Sequence, residues 1–358
     1  MSAKSLGILA ATILVVPALA HAGADRAGTT AANFLSAGAG ARSLGMGGAG
    51  VALTGDLDRV PWNVASLAWL GETEFAASHA GDTDHGNQEW LAAGGRLIQS
   101  RARWSASALH QGEGSIQGRD AANQSTGDFN AGDMALSVQG GRPLGRIASM
   151  GLGAKWVTED LGPAMRGSGL TFDAGVMVRY GMLALGAAAQ NALGHMTFGS
   201  SKYPFPTNYG LGIAVDHAAT GLRLALDANF PTAYYTDLRG GAEWHWEDHL
   251  ALRTGYRSEL GAPSSEALSG PSFGLGAGTH GVWLDYAYVI SAASGDGQHH
   301  VALVVQPDRM SWGSGDPFGQ KTMRQDYNER GLIGPVLPDT TATPARGKSG
   351  RGKAKKGA

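Results

Sequence analysis

No cysteine occurs in the 358 residues, which removes disulfides, thiolate nucleophiles and cysteine-ligated metals from consideration. Charge is scarce too. Only 16% of residues are charged and the net charge is −2, so nothing pulls the chain as a whole toward nucleic acid. Beyond the first 22 residues no stretch stays apolar for 18, and helical membrane spans are excluded. Glycine is what the chain has in excess. With 56 glycines, 14 prolines and 43% hydrophobic residues it is poor material for long helices, but it suits turns, bulges and close backbone approach.

The two ends stand apart from the rest. Lys4, the apolar run Leu6–Leu19 and the small-x-small triplet Ala20-His21-Ala22 read as a secretory signal cleaved near Ala22. The competing reading, an anchoring helix, has about 14 apolar residues where a span needs ~20. At the other end, Ala345–Ala358 holds six basic residues and no acid. Taking those six from the 28 bases leaves 22 against 30 acids.

From Glu72 onward the pattern has period two. Phe172, Ala174, Val176, Val178 and Tyr180 alternate with Thr171, Asp173, Gly175, Met177 and Arg179, and Leu222, Leu224 and Leu226 alternate with Arg223, Ala225 and Asp227. Successive strand side chains point to opposite faces, so each segment has one apolar face and one small or polar face. Roughly fourteen such segments follow, mostly of about 8 to 12 residues, near the 9–11 a tilted strand needs to cross a bilayer. Single-chain bacterial barrels use an even count.

The connections alternate in length. Short ones fall at Gln99–Ala102, Leu144-Gly145, Gly181, Ala218–Thr220, Glu247-Asp248 and Gly281. Long ones fall at Gly81–Asn87, Gly112–Gly132, Glu159–Ser168, Ala192–Phe205, Glu259–Gly270 and Ser291–Gly297, with Pro231–Tyr235 the one modest exception. Tight periplasmic turns and longer outward loops are the habit of outer-membrane barrels, and the order places both termini on the periplasmic side. Aromatics near segment ends, Trp90, Trp104, Trp156, Tyr180, Trp246 and Tyr256 among them, suit girdles at the two interfaces.

The expected fold is all-β, a closed antiparallel transmembrane β-barrel of about 14 strands with an N-terminal plug segment in its lumen. The expected organisation is a signal peptide at 1–22, the plug at 23–71, the barrel at 72–305 and a flexible periplasmic tail with a basic end at 306–358. Asn33–Leu70, rich in glycine and alanine and without strict alternation, is the body of that plug. Its marked residues are Arg42, Gly45, Gly47, Gly48, Asp56, Trp62 and Asn63. The inward strand faces carry Lys155, Asp173, Arg179, Arg223, Asp227, Arg239, Glu243, Arg253, Arg257 and Asp285. Both signs are interspersed, which suits a lumen holding a plug better than an open ion-selective pore. Arg42, Asp56, Asp58 and Arg59 are candidate partners for those wall charges, since buried charges need pairing.

Other motifs fail on context. Gly45-Met46-Gly47-Gly48-Ala49-Gly50 satisfies the phosphate-cradling G-x-G-x-x-G pattern, yet no βαβ unit surrounds it, and thin backbone packed against a barrel wall accounts for it better. His245 and His249 lack the helix a zinc pair needs, and His299-His300 straddle the two faces of one strand, so no metal site is expected. No serine, histidine and acid spacing nominates a catalytic set, so the chain is not read as an enzyme, and no cofactor is expected.

Phe34-Leu35, Gly40-Ala41-Arg42, Leu44-Gly45-Met46-Gly47-Gly48-Ala49 and Trp62-Asn63 followed by Ala65 and Leu67-Ala68 resemble the PorV/PorQ family of outer-membrane proteins, related to FadL-type transporters of hydrophobic compounds. Lys155–Glu159, Asp173-Ala174-Gly175, Gln190-Asn191 and Asp285–Tyr288 extend the likeness to about residue 305. Where that family has Trp-Asn-Pro-Ala this chain has Trp62-Asn63-Val64-Ala65, and its tail beyond Gln306 is longer. The resemblance implies a fourteen-stranded plugged barrel in the outer membrane. It also implies one of two roles, passage of an apolar small molecule or service as an accessory platform of type IX protein secretion; a purely structural barrel is the third reading. The partners implied are outer-membrane lipid, a hydrophobic small molecule or a secreted protein, and the barrel assembly machinery during biogenesis, with no nucleic acid.

Overall fold

The computed structural model describes residues 28–81, 86–97, 100–162, 165–247, 249–263, 267–292 and 297–310. The expected signal peptide and all of the expected tail after residue 310 lie outside them.

Sixteen strands form one antiparallel sheet. The first seven are β1 (Glu74–Gly81), β2 (Asn87–Arg96), β3 (Arg103–Arg119), β4 (Ser125–Leu144), β5 (Ala148–Asp160), β6 (Arg166–Tyr180) and β7 (Leu183–Ala192). A small hairpin follows, β8 (His195–Phe198) and β9 (Ser201–Pro204). The rest are β10 (Asn208–His217), β11 (Leu222–Pro231), β12 (Asp237–Trp246), β13 (Leu250–Glu259), β14 (Gly270–Thr279), β15 (Val282–Ile290) and β16 (Gly297–Val305). Apart from β8 and β9, every strand pairs with its neighbours in sequence, and β1 pairs with β16 from Phe75–Val305 to Gly81–His299. The barrel is therefore closed and has fourteen strands. Closure leaves no unpaired edge around the wall.

Alternation decides which way each side chain points. On β11, Leu222, Leu224 and Leu226 face outward, Leu226 with 64% of its surface exposed, while Ala225 and Asp227 are buried inside. On β6, Phe172 and Val176 face outward while Thr171, Asp173 and Met177 are buried. The outside is thus a belt of large apolar side chains. Trp104, Tyr180 and Trp246 stand at its short-turn rim and Trp156, Tyr203 and Tyr256 toward the long-loop rim, all exposed. That is the outer surface of transmembrane barrels. Among the described residues no helix is long and apolar enough to cross a membrane.

Trp90 departs from the expected girdle. Its side chain faces the lumen and is 4% exposed. Two long connections are also structured where loops were expected. Most of Gly112–Gly132 continues β3 and β4 as a two-stranded ribbon beyond the ends of β2 and β5. Its tip turns at Asp120, whose side chain accepts from Ala122 N and Gln124 N, with Asn123 in the left-handed region at φ 61°. A ribbon in water has no apolar face, so no apolar alternation marks it. Within Ala192–Phe205, β8 pairs with the outward end of β6 and buries Met196 toward the lumen.

Candidate functional site

The lumen is filled by residues 28–73, which form short turns rather than long helices: Asn33–Ser36, Ala41–Leu44, Leu57–Arg59 and Val64–Trp69. The segment runs the length of the barrel. Its first described part lies at the long-loop end, where Ala31 N donates to Pro204 O and Ala32 N to Glu159 Oε2. Phe34 packs there with Ala135, Val157, Met196 and Phe205. The expected periplasmic position of the N-terminus falls on residues before 28, outside those described; residues 31 and 32 stand at the long-loop end. The β8–β9 hairpin supplies apolar surface at the outward mouth, and Phe34 is buried against it.

From there the chain descends to the short-turn end and turns back. Arg42 sets a two-pronged contact on Glu243 of β12, Nε to Oε2 and Nη2 to Oε1 both at 2.8 Å, while its Nη1 meets Asp56 at 2.5 Å. Asp58 accepts from Ser43 N and Ser43 Oγ. Asp56 and Asp58 thus pair within the plug, to Arg42, Arg59 and Ser43, rather than with the wall.

Glycines explain the close fit. Trp62 is wrapped by Gly38, Gly48 and Gly50; a Cβ at Gly38 or Gly50 would come 2.6 Å from the indole. Arg239 lies over the Trp62 ring at 5.2 Å. Gly45 packs against Gly274, and Gly47, at φ 71°, lies against the backbone of Tyr256 and donates to Ser272 Oγ at 2.8 Å. The wall answers with glycines of its own: a Cβ at Gly151, Gly186, Gly241 or Gly255 would meet plug backbone at 2.4, 2.2, 2.4 and 2.1 Å. Side chains are absent on both sides because main chain meets main chain.

Asn63 ties the plug together. Its Oδ1 accepts from Ala65 N at 3.0 Å, capping the turn Val64–Trp69, and its Nδ2 donates to Val51 O at 2.8 Å. Val64 holds the first position of that turn, where an N–H has no partner inside the helix, so valine in place of proline leaves the turn intact.

The wall charges form three groups rather than one. Glu243 is the hub of the first, with Arg253 at 2.6 Å and Arg223 at 3.2 Å besides Arg42, and Asp285 joins through Arg253 at 2.5 Å. Lys155 bonds Asp173 and Asn191 in the second. Arg239 and Arg257 meet Asp237 in the third. Asp227 serves the plug directly, accepting from Gly50 N at 2.7 Å and Val51 N at 2.9 Å. Arg179 lies over the Trp69 ring at 5.0 Å. His245, on β12, joins the Glu243 group at 2.9 Å, whereas His249 stands in the turn before β13. Among the described residues no cluster of three histidine, aspartate or glutamate side chains could hold a metal ion.

Two cavities remain on either side of the plug. The outward one, of about 460 Å³, is lined by Leu35, Ala39, Trp62, Leu109, Ala135 and Tyr234 and by as many polar or charged groups, Gln139, Lys155, Gln190, Asn208, Asp237 and Arg239 among them. The second, of about 110 Å³ near the short turns, is lined largely by charge, including Arg42, Asp56, Arg223, Arg253 and Asp285. Gln306 and Arg309 also border it, Gln306 Nε2 donating to Glu74 Oε2 at 2.7 Å. Trp90, Leu109 and the outward cavity itself are what sequence reasoning missed.

No family model and no curated protein matches the sequence. Solved structures do match the fold. The Ralstonia pickettii toluene transporter TbuX superposes with a TM-score of 0.54 at 14% identity, covering 75% of this chain and 97% of its own. A deltaS2S3 mutant of the TodX monoaromatic hydrocarbon channel gives 0.52 at 13%, covering 75% and 97%. The CymD monoaromatic hydrocarbon channel gives 0.51 at 13%, covering 75% and 96%. The chain shares the fold of these hydrocarbon channels. At such identity the likeness is one of fold, and the PorV/PorQ resemblance rests on the residues quoted for it.

Proposed function

We propose that this chain is an outer-membrane barrel that passes an apolar or amphipathic small molecule from its long-loop mouth toward its short-turn mouth. The observation that carries the reading is the outward cavity. It is large enough for a molecule of two or three rings, given that a cavity of about 150 Å³ holds benzene, and its lining mixes apolar side chains with polar and charged ones, which suits an apolar or amphipathic guest. Its floor is the plug, so a bound molecule meets a movable segment rather than an open pore. The outer apolar belt and its aromatic rims support the membrane location. Kinship of fold with channels for toluene and monoaromatic hydrocarbons supports the class of cargo.

Equilibrium dialysis of labelled toluene and naphthalene against the detergent-purified protein tests the reading. Saturable binding by the wild type that is lost in Leu109→Trp, which fills the cavity, is the expected result. No saturable binding by a barrel that still shows heat-modifiable gel migration overturns it.

A second reading, a platform for secreted proteins of the type IX kind, is favoured by one feature, the β3–β4 ribbon projecting beyond its neighbours. Capture of a secreted protein on the wild type but not on a variant lacking residues 115–130 supports that reading.

A further inference from the structure

We infer that the passage runs along the β1–β3 side of the plug and that Trp90 is its gate. The inference rests on the transport reading above and adds a route and a residue to it.

The plug does not meet the wall in one manner all the way round. Toward β5, β7 and β13 it lies main chain to main chain, with no room for a Cβ at Gly151, Gly186 or Gly255. Toward β12 it is held by the Arg42–Glu243 contact. Opening on those sides means shifting backbone or separating buried charges, both costly in a close-packed interior. Toward β1–β3 the contact is made mainly by apolar side chains, Ala39, Leu57 and Val60 of the plug against Ala76, Trp90 and Ala92 of the wall; the polar ties on that side, Leu57 N to Glu74 Oε1 and Arg103 Nε to Leu70 O, hold plug backbone at the short-turn end. Dispersion and burial are non-directional, so side chains there can change rotamer without leaving a polar group unpaired. Even the tight spot on this side, Gly94, is bounded by the tip of the Leu57 side chain at 2.7 Å and not by plug backbone.

The cavities point to the same place. Among the described residues that border them, Trp90 alone lines both the outward cavity and the one near the short turns. Its indole is buried between them, within the apolar seam. A swing of that ring joins the two cavities through an opening shaped by a flat aromatic group, which favours planar apolar molecules over branched or charged ones.

Conductance of the full-length protein in planar lipid bilayers, with potassium chloride as the probe, tests the gate. Removing the indole leaves the volume of a large side chain between the cavities, so Trp90→Ala is expected to raise mean conductance at least about fivefold. Trp90→Phe keeps a ring in place and stays near the wild type. Met177→Ala, a truncation on β6 that lines neither cavity, controls for general loosening and stays at the wild-type value. Equal conductance in Trp90→Ala and Met177→Ala overturns the gate. Uptake of labelled toluene by whole cells that express the chain, whose lipopolysaccharide layer is the barrier, separates the two claims. Wild-type uptake with unchanged conductance in Trp90→Ala refutes the gate alone. Raised conductance without any wild-type uptake refutes the transport reading and upholds the joined passage. Heat-modifiable gel migration of each variant confirms that the barrel compared is folded.

Discussion

Arg42→Met removes the contact that fastens the plug to β12. The guanidinium gives Glu243 two hydrogen bonds at 2.8 Å and meets Asp56 at 2.5 Å, with 18% of its side chain exposed. Neither carboxylate is left without a cation by the change: Glu243 keeps Arg253 at 2.6 Å and Arg223 at 3.2 Å, and Asp56 keeps Arg59 at 3.5 Å. The loss is therefore that of charge-assisted hydrogen bonds and not of an unpaired buried charge, about 2–3 kcal/mol. At about 1.4 kcal/mol per factor of ten, the plug should spend roughly 30- to 150-fold more time undocked. The chain has no cysteine, so Ala49→Cys, at a fully buried plug position, gives a reporter without background. Labelling by a membrane-impermeant maleimide measures exposure of that thiol. The rate should rise by the stated factor in Arg42→Met and by less in Arg42→Lys, which keeps the charge but not the planar fork. Rates equal within about twofold would refute the assignment of Arg42 as the anchor.

Other perturbations act on separate parts of the same account. Gly255→Ala places a Cβ 2.1 Å from Gly47 N, and overpacking of about 1–3 kcal/mol should speed labelling of the Ala49→Cys reporter while the barrel keeps its heat-modifiable migration. Leu226→Lys puts a charge on the outward apolar belt and should cost about 2–4 kcal/mol in a denaturant titration of the lipid-folded barrel, with the plug reporter unchanged. Asn63→Ala removes the cap on Ala65 N and the bond to Val51 O, and should lower plug protection by about 1–2 kcal/mol in hydrogen exchange, most clearly at residue 65, whose N–H it caps.

The strands were legible because a wall with lipid on one side and a polar lumen on the other forces period two on every segment. Leu222–Phe230 shows it directly, its leucines outward and Asp227 inward. The β3–β4 ribbon was not legible, since water on both faces leaves nothing to alternate. Trp90 was misplaced for a related reason. Around it Trp90, Leu91, Ala92 and Ala93 are all apolar, so period two assigns no face. The pairing of Arg42 with Glu243 spans 201 positions, and the other cations on Glu243 come from two strands and the plug, a convergence no local spacing records. The position of Phe34 at the outward mouth depends on the β8–β9 hairpin closing over it, again a contact between distant segments.

The central claim is that the barrel carries an apolar small molecule past its plug. A bare bilayer is already permeable to such molecules, so the direct test uses whole cells whose lipopolysaccharide layer is the barrier. The measurement is the initial rate of labelled toluene accumulation in cells that lack their own hydrocarbon channels and express either this chain or its Leu109→Trp variant. The account predicts a faster rate with the wild-type chain and a return to background with the filled cavity. Equal rates in the two strains, at equal amounts of folded barrel in the outer membrane, would contradict it.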